Sequence, residues 1–393
     1  MIAQQLQCTR RIAAGLLVLA CAATLSQSLH SQSEPAKLTW AHVWTAADLR
    51  NAVQNEHADA FRIHEADDRI IGELVKLDSV RGVALPQAKI TSRACQLLCN
   101  VKTLEHLEIT GIFELEAADY KALLEGLPGL TCVKFSRTNI DDGAFLAWNP
   151  SKSVREVVCS STMITDRTVH RLVETCPKLR SVWLSGCERI AEAGFLKLAR
   201  LTSLETLHAS FCPGMTSAAM EAVTTLPLLR VLCVRGSAPL SRTSWEHIGK
   251  LIHVETLGVS LPKDVREGDF ATFQSLPALE RLELSFEEGS LISCVAGAKR
   301  GLKNVTKLEM YGGRMDETCT ALWAHCASLE IVVLETVTVD NGARQSLSGL
   351  LEACPSISNV LIKACKNVTK QDMESLGTKF PESKITYYEN LWG

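Results

Sequence analysis

The pair Cys95 and Cys99 has the spacing that places two thiols on one face of a helix. Two thiolates so placed supply half of a tetrahedral metal site, but no matching Cys or His pair follows at the distance such a site needs. The two are therefore read as small packing residues. His170, His247 and His325 fall on helical stretches and read as surface or half-buried positions. Asp141 and Asp142 open a helix, where carboxylates suit the positive end of the helix dipole. Asn304-Val305-Thr306 and Asn367-Val368-Thr369 have the form of glycan acceptors. A phosphate-binding glycine loop, a dinucleotide fingerprint, an HExxH pair and a GxSxG elbow are all absent from the sequence. No catalytic residue, metal or cofactor is assigned, and the expectation is a chain that is not an enzyme.

The elements that would position any functional side chain are set by a repeat. The pattern apolar-x-x-apolar-x-apolar begins at Val80, Leu104, Leu130, Val154, Leu179, Leu204, Leu229, Val254, Leu279, Val305, Leu329 and Ile357. Successive copies start 24 to 28 residues apart, and 25 residues apart at every step from Val154 to Leu279. Weaker copies stand at Phe61/Ile63 and Ile385/Tyr387. Within each copy, an alternating apolar pair such as Val182 and Leu184 predicts a short strand with one buried face. A helical pattern then returns the chain, as in Thr165–Cys176, Ala191–Leu201, Ser217–Leu226, Ser241–Leu251, Asp316–Cys326 and Thr369–Leu376. Pro128, Pro177, Pro227, Pro277 and Pro355 stop the helices before the next strand. A single strand and helix cannot bury their inner faces alone, so each copy needs its neighbours.

The segment Cys176-Pro177-Lys178-Leu179-Arg180-Ser181-Val182-Trp183-Leu184-Ser185-Gly186-Cys187 resembles the leucine-rich-repeat family in its cysteine-containing subtype, as does Cys354 to Cys365. The resemblance implies an α/β leucine-rich-repeat solenoid, or horseshoe, of about 12–13 repeats of about 25 residues. Its parallel sheet would line the concave side and its helices the convex side. The family's turn position carries Asn, Cys, Ser or Thr, whose side chain bonds the backbone of the turn. Here it is Thr138, Thr162, Cys187, Cys212, Ser237 and Cys365, with departures to Ile112, Pro262, Glu287, Gly313 and Val337. The subtype is best known in F-box ubiquitin-ligase receptors, which makes a substrate-recognition subunit or effector of such a complex the alternative reading. Residues 37–75 do not resemble an F-box, and exported bacterial leucine-rich-repeat proteins are the closer likeness.

Residues between the buried strand positions must point outward on the sheet face. Trp183, His208 and Arg235 take that direction on three successive copies, with Phe211 nearby, and are the candidate ligand-binding residues. Aromatic and arginine side chains together are the usual makings of an interface hot spot. Six serines recur in the next outward column, which suits the exit from strand to turn.

Net charge is −3, with 22% charged and 46% hydrophobic residues, which gives no reason to expect nucleic acid as a partner. Arg10 and Arg11 precede an uncharged apolar run from Ile12 to Leu25, and a small polar stretch follows, as in a secretory signal peptide. Val18-Leu19-Ala20-Cys21 resembles a lipobox, which would make Cys21 a lipidation site and the only link to a membrane. Of fifteen cysteines, thirteen remain after Cys8 and Cys21, an odd number placed by the repeat, so they are read as mostly free and structural. The expected organisation is a signal peptide over 1–33, a capping segment over 34–57 with Trp40 and Trp44, the repeat array over 58–388 and a tail over 389–393. The expected function is a non-catalytic scaffold, secreted, periplasmic or envelope-anchored, that binds a protein or polysaccharide on its sheet face.

Overall fold

The computed structural model describes residues 38–390 apart from 56, 113, 151, 238–240, 264–265, 267–272, 274–275, 288, 293–294, 296–301, 317–318, 320–325 and 341–342. The expected leader with Cys21, His325, most of the helix expected over Asp316–Cys326, and Trp392 lie outside the described residues. Up to Gly214 the chain forms one compact unit, and from Met215 another.

Among the described residues the first unit carries eight strands: β1 Trp40–Val43, β2 Ala60–Ile63, β3 Gly82–Pro86, β4 His106–Thr110, β5 Cys132–Lys134, β6 Glu156–Val158, β7 Ser181–Trp183 and β8 Thr206–His208. Each pairs in parallel with the next in chain order. Parallel neighbours require a crossover, and a helix supplies it in each copy, for example Ser92–Leu98, Ala117–Gly126 and Asp166–Thr175. Register follows the repeat period. Leu107 stands opposite Val133, Val133 opposite Val157, Val157 opposite Val182, and Val182 opposite Leu207. All five are fully buried.

The second unit repeats the plan with β9 Val231–Cys233, β10 Thr256–Leu261, β11 Arg281–Phe286, β12 Lys307–Tyr311, β14 Ile331–Glu335, β16 Asn359–Lys363 and β17 Lys384–Tyr388. Its interior row runs Leu232, Leu257, Leu282, Leu308, Val332, Val360 and Ile385. Two short strands, β13 Arg314–Met315 and β15 Thr338–Val339, make a separate parallel pair at the turns. These repeats of strand, turn and returning helix, in register, are a leucine-rich-repeat fold.

The turns explain the differences in strand length. Thr138 Oγ1 donates to Phe135 C=O at 2.9 Å, Thr162 Oγ1 to Cys159 C=O at 2.7 Å, Cys187 Sγ to Cys159 C=O at 3.0 Å and Cys212 Sγ to Leu184 C=O at 3.1 Å. Each donor satisfies a buried carbonyl just past its own strand or the preceding one, and the chain turns away after three strand residues. Where Pro262, Glu287, Gly313 and Val337 stand instead, backbone pairing continues and β10, β11, β12 and β14 run to five or six residues. β16 is the exception, five residues long although it precedes Cys365. The turn also needs a left-handed residue, which is Arg137, Ser161, Gly186 and Phe211 in four consecutive copies.

Helix starts are joined sideways. Asp141 caps its own helix through Gly143 N–H at 2.8 Å. Asp142 accepts from Thr165 N–H and Oγ1 and from Thr168 Oγ1 of the following copy at 2.7–2.9 Å. Burial works to raise the Asp142 carboxyl, and the hydrogen bonds from Thr168 and Thr165 outweigh it and hold the group below its ordinary range. Asp68 and Thr91 make the same junction, and Asp166 accepts from Ala191 N–H. The paired aspartates thus fasten one copy to the next.

The segment expected to cap the N-terminal end contributes a strand of its own, β1, and the helix Ala46–Asn55. At the other end Tyr387 Oη donates to Val368 C=O at 3.1 Å.

Replacing Leu207 or Leu282 by alanine removes buried atoms that pack in register against a neighbouring copy. Each substitution is expected to lower stability by roughly 2–5 kcal/mol in denaturant unfolding monitored by circular dichroism. Losses under about 1 kcal/mol at both positions would contradict the interior row.

Candidate interaction face

Cys95 is buried, and burial pushes its thiol up to about 12. Cys99 Sγ donates to Ala122 C=O at 3.3 Å. Cys99 thus packs against the next helix, and among the described residues every cysteine carries a thiol and no three His, Cys, Asp or Glu side chains converge on a metal-sized point. His247 Nδ1 lies 3.6 Å from Glu221 on the neighbouring helix.

The outward side of the first unit's sheet is built differently. Small residues form a floor that long side chains cross. Trp40, Ala60, Gly82 and His106 are register partners on β1 to β4. A Cβ on Gly82 would meet Ala60 Cβ at 2.7 Å and Trp40 Cη2 at 3.3 Å, so only glycine leaves room for the indole lying over it. Trp40 reaches across two strands to meet the His106 ring edge-on, with centroids 5.0 Å apart. In the next row Arg62, Ala84 and Glu108 are partners. Arg62 spans Ala84 and donates to both Glu108 oxygens, at 3.2 and 3.1 Å. A two-toothed contact of this kind fixes the guanidinium plane.

Further along, Cys132 Sγ donates to Glu156 Oε2 at 3.2 Å, and Lys134 Nζ pairs with Glu156 Oε1 at 3.1 Å. Burial lifts the Cys132 thiol well above its ordinary value, and the Glu156 carboxylate adds to the rise, so it is a neutral donor rather than a nucleophile. His106 Nε2 has no hydrogen-bond partner among the described residues. Burial, and then the charge of Lys134, pulls His106 down from 6.5 to about 4.

Of the residues singled out from sequence, Trp183 and His208 come together on β7 and β8. Their rings stack with centroids 3.8 Å apart and 25° between planes. Trp183 Nε1 donates to Ser181 Oγ at 2.9 Å, which sets the indole's orientation. Trp183 is half-buried and His208 buried. Phe211 is half-buried at its left-handed turn.

Arg235 lies in the second unit and is 2% exposed. Its Nε donates to Glu283 Oε2 at 2.9 Å, and its guanidinium carbon sits 3.7 Å from the centroid of the Tyr311 ring. Tyr311 Oη donates to Glu309 Oε2 at 2.6 Å, and Lys307 Nζ pairs with Glu309 Oε1 at 2.6 Å. Burial raises the Glu335 carboxyl beside this network, against the opposing charges of Lys363 and Arg235.

No family model matches the sequence. Three similar solved structures are leucine-rich-repeat proteins or internalins of bacteria. A leucine-rich-repeat protein of Leptospira interrogans is 13% identical, covers 93% of this chain and 97% of its own, and has a TM-score of 0.39. An internalin of Listeria monocytogenes is 15% identical, covers 75% of this chain and 84% of its own, and has a TM-score of 0.43. An internalin C2 of that organism is 17% identical, covers 49% of this chain and 74% of its own, and has a TM-score of 0.34. The fold assignment rests on this chain's own period and strand register.

A histidine depressed by burial favours the folded state only while it is neutral. The first unit should therefore lose stability as pH falls from about 6.5 towards 4, because the unfolded chain binds that proton first. His106→Phe removes the proton uptake and should flatten this part of the stability–pH curve. An unchanged curve would contradict the assignment of His106.

Proposed function

We propose that this chain is a non-catalytic interaction scaffold that captures a protein partner on the outward face of its sheet. The observation that carries this reading is the first unit's run of aromatic and charged side chains, from Trp40 and Arg62 through Glu108, Lys134 and Glu156 to the Trp183–His208 stack. Each is already held by a cross-strand contact, so little side-chain freedom is lost when a partner docks. Aromatic anchors beside fixed arginine and carboxylate groups are the composition of protein hot spots. Trp183 and Phe211 are the proposed anchors in this unit, with the buried His208 stacked against the indole. In the second unit Arg235 holds Glu283 in place on the sheet, and Tyr311 and Lys307 hold Glu309.

The arginine pair and apolar run near the N-terminus support export, with Cys21 as the proposed point of lipid attachment. Among the described residues no helix is long and apolar enough to cross a membrane. An N-terminal sequence beginning at or after residue 21, read from an extracytoplasmic fraction of the native host, is the expected outcome. An intact Met1 in the cytosol would contradict it.

The binding face is tested by a photocrosslinking residue placed at Trp183 or Phe211, and at the exposed helix residue Glu174 as control. Discrete protein adducts from the first two positions, absent from Glu174, are expected. A polysaccharide adduct at the sheet face, or equal protein crosslinking from Glu174, would overturn this reading. With the partner in hand, Trp183→Ala should weaken capture at least tenfold, a hot-spot loss of about 1.4 kcal/mol or more, with thermal unfolding little changed.

A further inference from the structure

The strand β17 stands at the end of the second unit's strand order and pairs on one side with β16. Its backbone alternates in direction. Lys384 N–H donates to Ser358 C=O at 2.9 Å, and Tyr388 C=O accepts from Ala364 N–H at 2.8 Å, so these residues turn their polar groups towards β16. The N–H and C=O of Ile385 and Tyr387 point the opposite way, where no strand pairs with them among the described residues. Burial changes at the same place. Along the inward rows Val332 and Leu334 are fully buried, Val360 and Ile362 are 3% and 1% exposed, and Ile385 and Tyr387 are only half-buried. The strand Lys384-Ile385-Thr386-Tyr387-Tyr388 pairs with β16 without a bulge, and it holds no Pro or Gly and a single charge at its start. It therefore lacks the features that usually blunt an exposed edge.

The edge fits a second copy of itself, laid antiparallel about a two-fold axis. Inward side chains of both copies must stay on one side of the joined sheet, so odd-numbered residues must face odd-numbered residues. The register that meets this condition with full overlap is centred on Thr386. Ile385 of each copy then faces Tyr387 of the other, and each such pair exchanges both of its free N–H and C=O groups. The same pairs cover the half-buried side chains. On the outward side Lys384 faces the Tyr388 ring, a cation–π contact, and Thr386 faces Thr386. Beyond the strand Ser383 faces Glu389 and Glu382 faces Asn390, so no like charges are opposed. Any extended segment offers the backbone groups, but these side-chain matches come from the strand's own sequence.

We propose that β17 is a self-association edge, through which two copies of this chain join antiparallel with Thr386 on the two-fold axis. The contact is isologous and closes at two copies. At the axis the two Thr386 residues form a non-hydrogen-bonded pair, with Cα atoms about 4.5 Å apart, the closest approach between the strands. The edge uses none of the residues assigned to partner capture, so it stands apart from that reading.

The test is sedimentation equilibrium on the untagged full chain, which should show a monomer–dimer equilibrium. Thr386→Glu and Thr386→Lys each set like charges face to face at the axis and should raise the dissociation constant at least tenfold. Circular dichroism should show the fold retained, because Thr386 points outward and is only half-buried. An equimolar mixture of the two variants should recover the dimer, since opposite charges then meet. Thr386→Cys should give a disulfide between copies under mild oxidation, mapped to residue 386, because about 4.5 Å lies within the Cα separation a disulfide spans. A native chain that stays monomeric, assemblies larger than a dimer, a Thr386→Glu variant that dimerises as readily as the native chain, or a mixture that stays monomeric would overturn the edge. The cysteine link decides the matter if a charged variant does not fold, and its absence would overturn the register.

Discussion

Every feature of this molecule depends on one constraint: a strand here has an apolar side that nothing within its own copy can cover. Val157 is buried because Val133 and Val182 flank it in register, and each of those is buried for the same reason. The hydrophobic gain therefore belongs to pairs of copies, as expected of quasi-one-dimensional folds. Helix-to-helix junctions such as Asp142 with Thr165 and Thr168 tie the other layer to the same register. A shift of one residue would turn every interior side chain outward, so register is strongly specified wherever the row is apolar.

That constraint determines what the outward side can do. Once the interior positions fix the strands about 4.8 Å apart, a long side chain reaches the second strand away only if the residue between is small. Ala84 provides this for Arg62 and Glu108, and Gly82 with Ala60 provides it for Trp40 and His106. The result is a face whose charged and aromatic groups are immobilised before any partner arrives. In the second unit the same tendency goes further, and Arg235, Tyr311, Glu283, Glu309 and Lys307 form a buried network. Removing one partner from a buried pair leaves an uncompensated charge, so each member of this network depends on the others being present.

The strand anchors were legible in the sequence because a period of about 25 residues labels each inward position directly. Val83, Leu107, Val133 and their successors fall in register as read. The helix Asp166–Thr175 was visible from its threonine cap and apolar spacing. Other features were not read from the period. The strand β1 does not stand out from its capping segment, since Trp40 and His42 alternate with Ala41 and Val43 over just four residues. The contact of Arg62 with Glu108 spans 46 residues and turns on the small size of Ala84, which is seen only when outward columns are compared across three copies. The burial of Arg235 depends on Tyr311, three copies later, and no local pattern reports it. The division after Pro213-Gly214 falls within a repeat, and the 25-residue step from Leu204 to Leu229 passes it unchanged, so the period does not report it. Of the candidate site, sequence spacing brought Trp183 and His208 together but also set Arg235 beside them as an outward residue, whereas it lies in the second unit and is buried by Glu283 and Tyr311.

The central claim, that no copy is stable without its neighbours, is tested most directly by native-state hydrogen exchange of the first unit. Amides of the interior strands β4 to β7 should exchange with one common opening free energy, with the same response to denaturant, as a single cooperative block. Strand amides that open copy by copy, each with its own small free energy and its own denaturant dependence, would contradict the account.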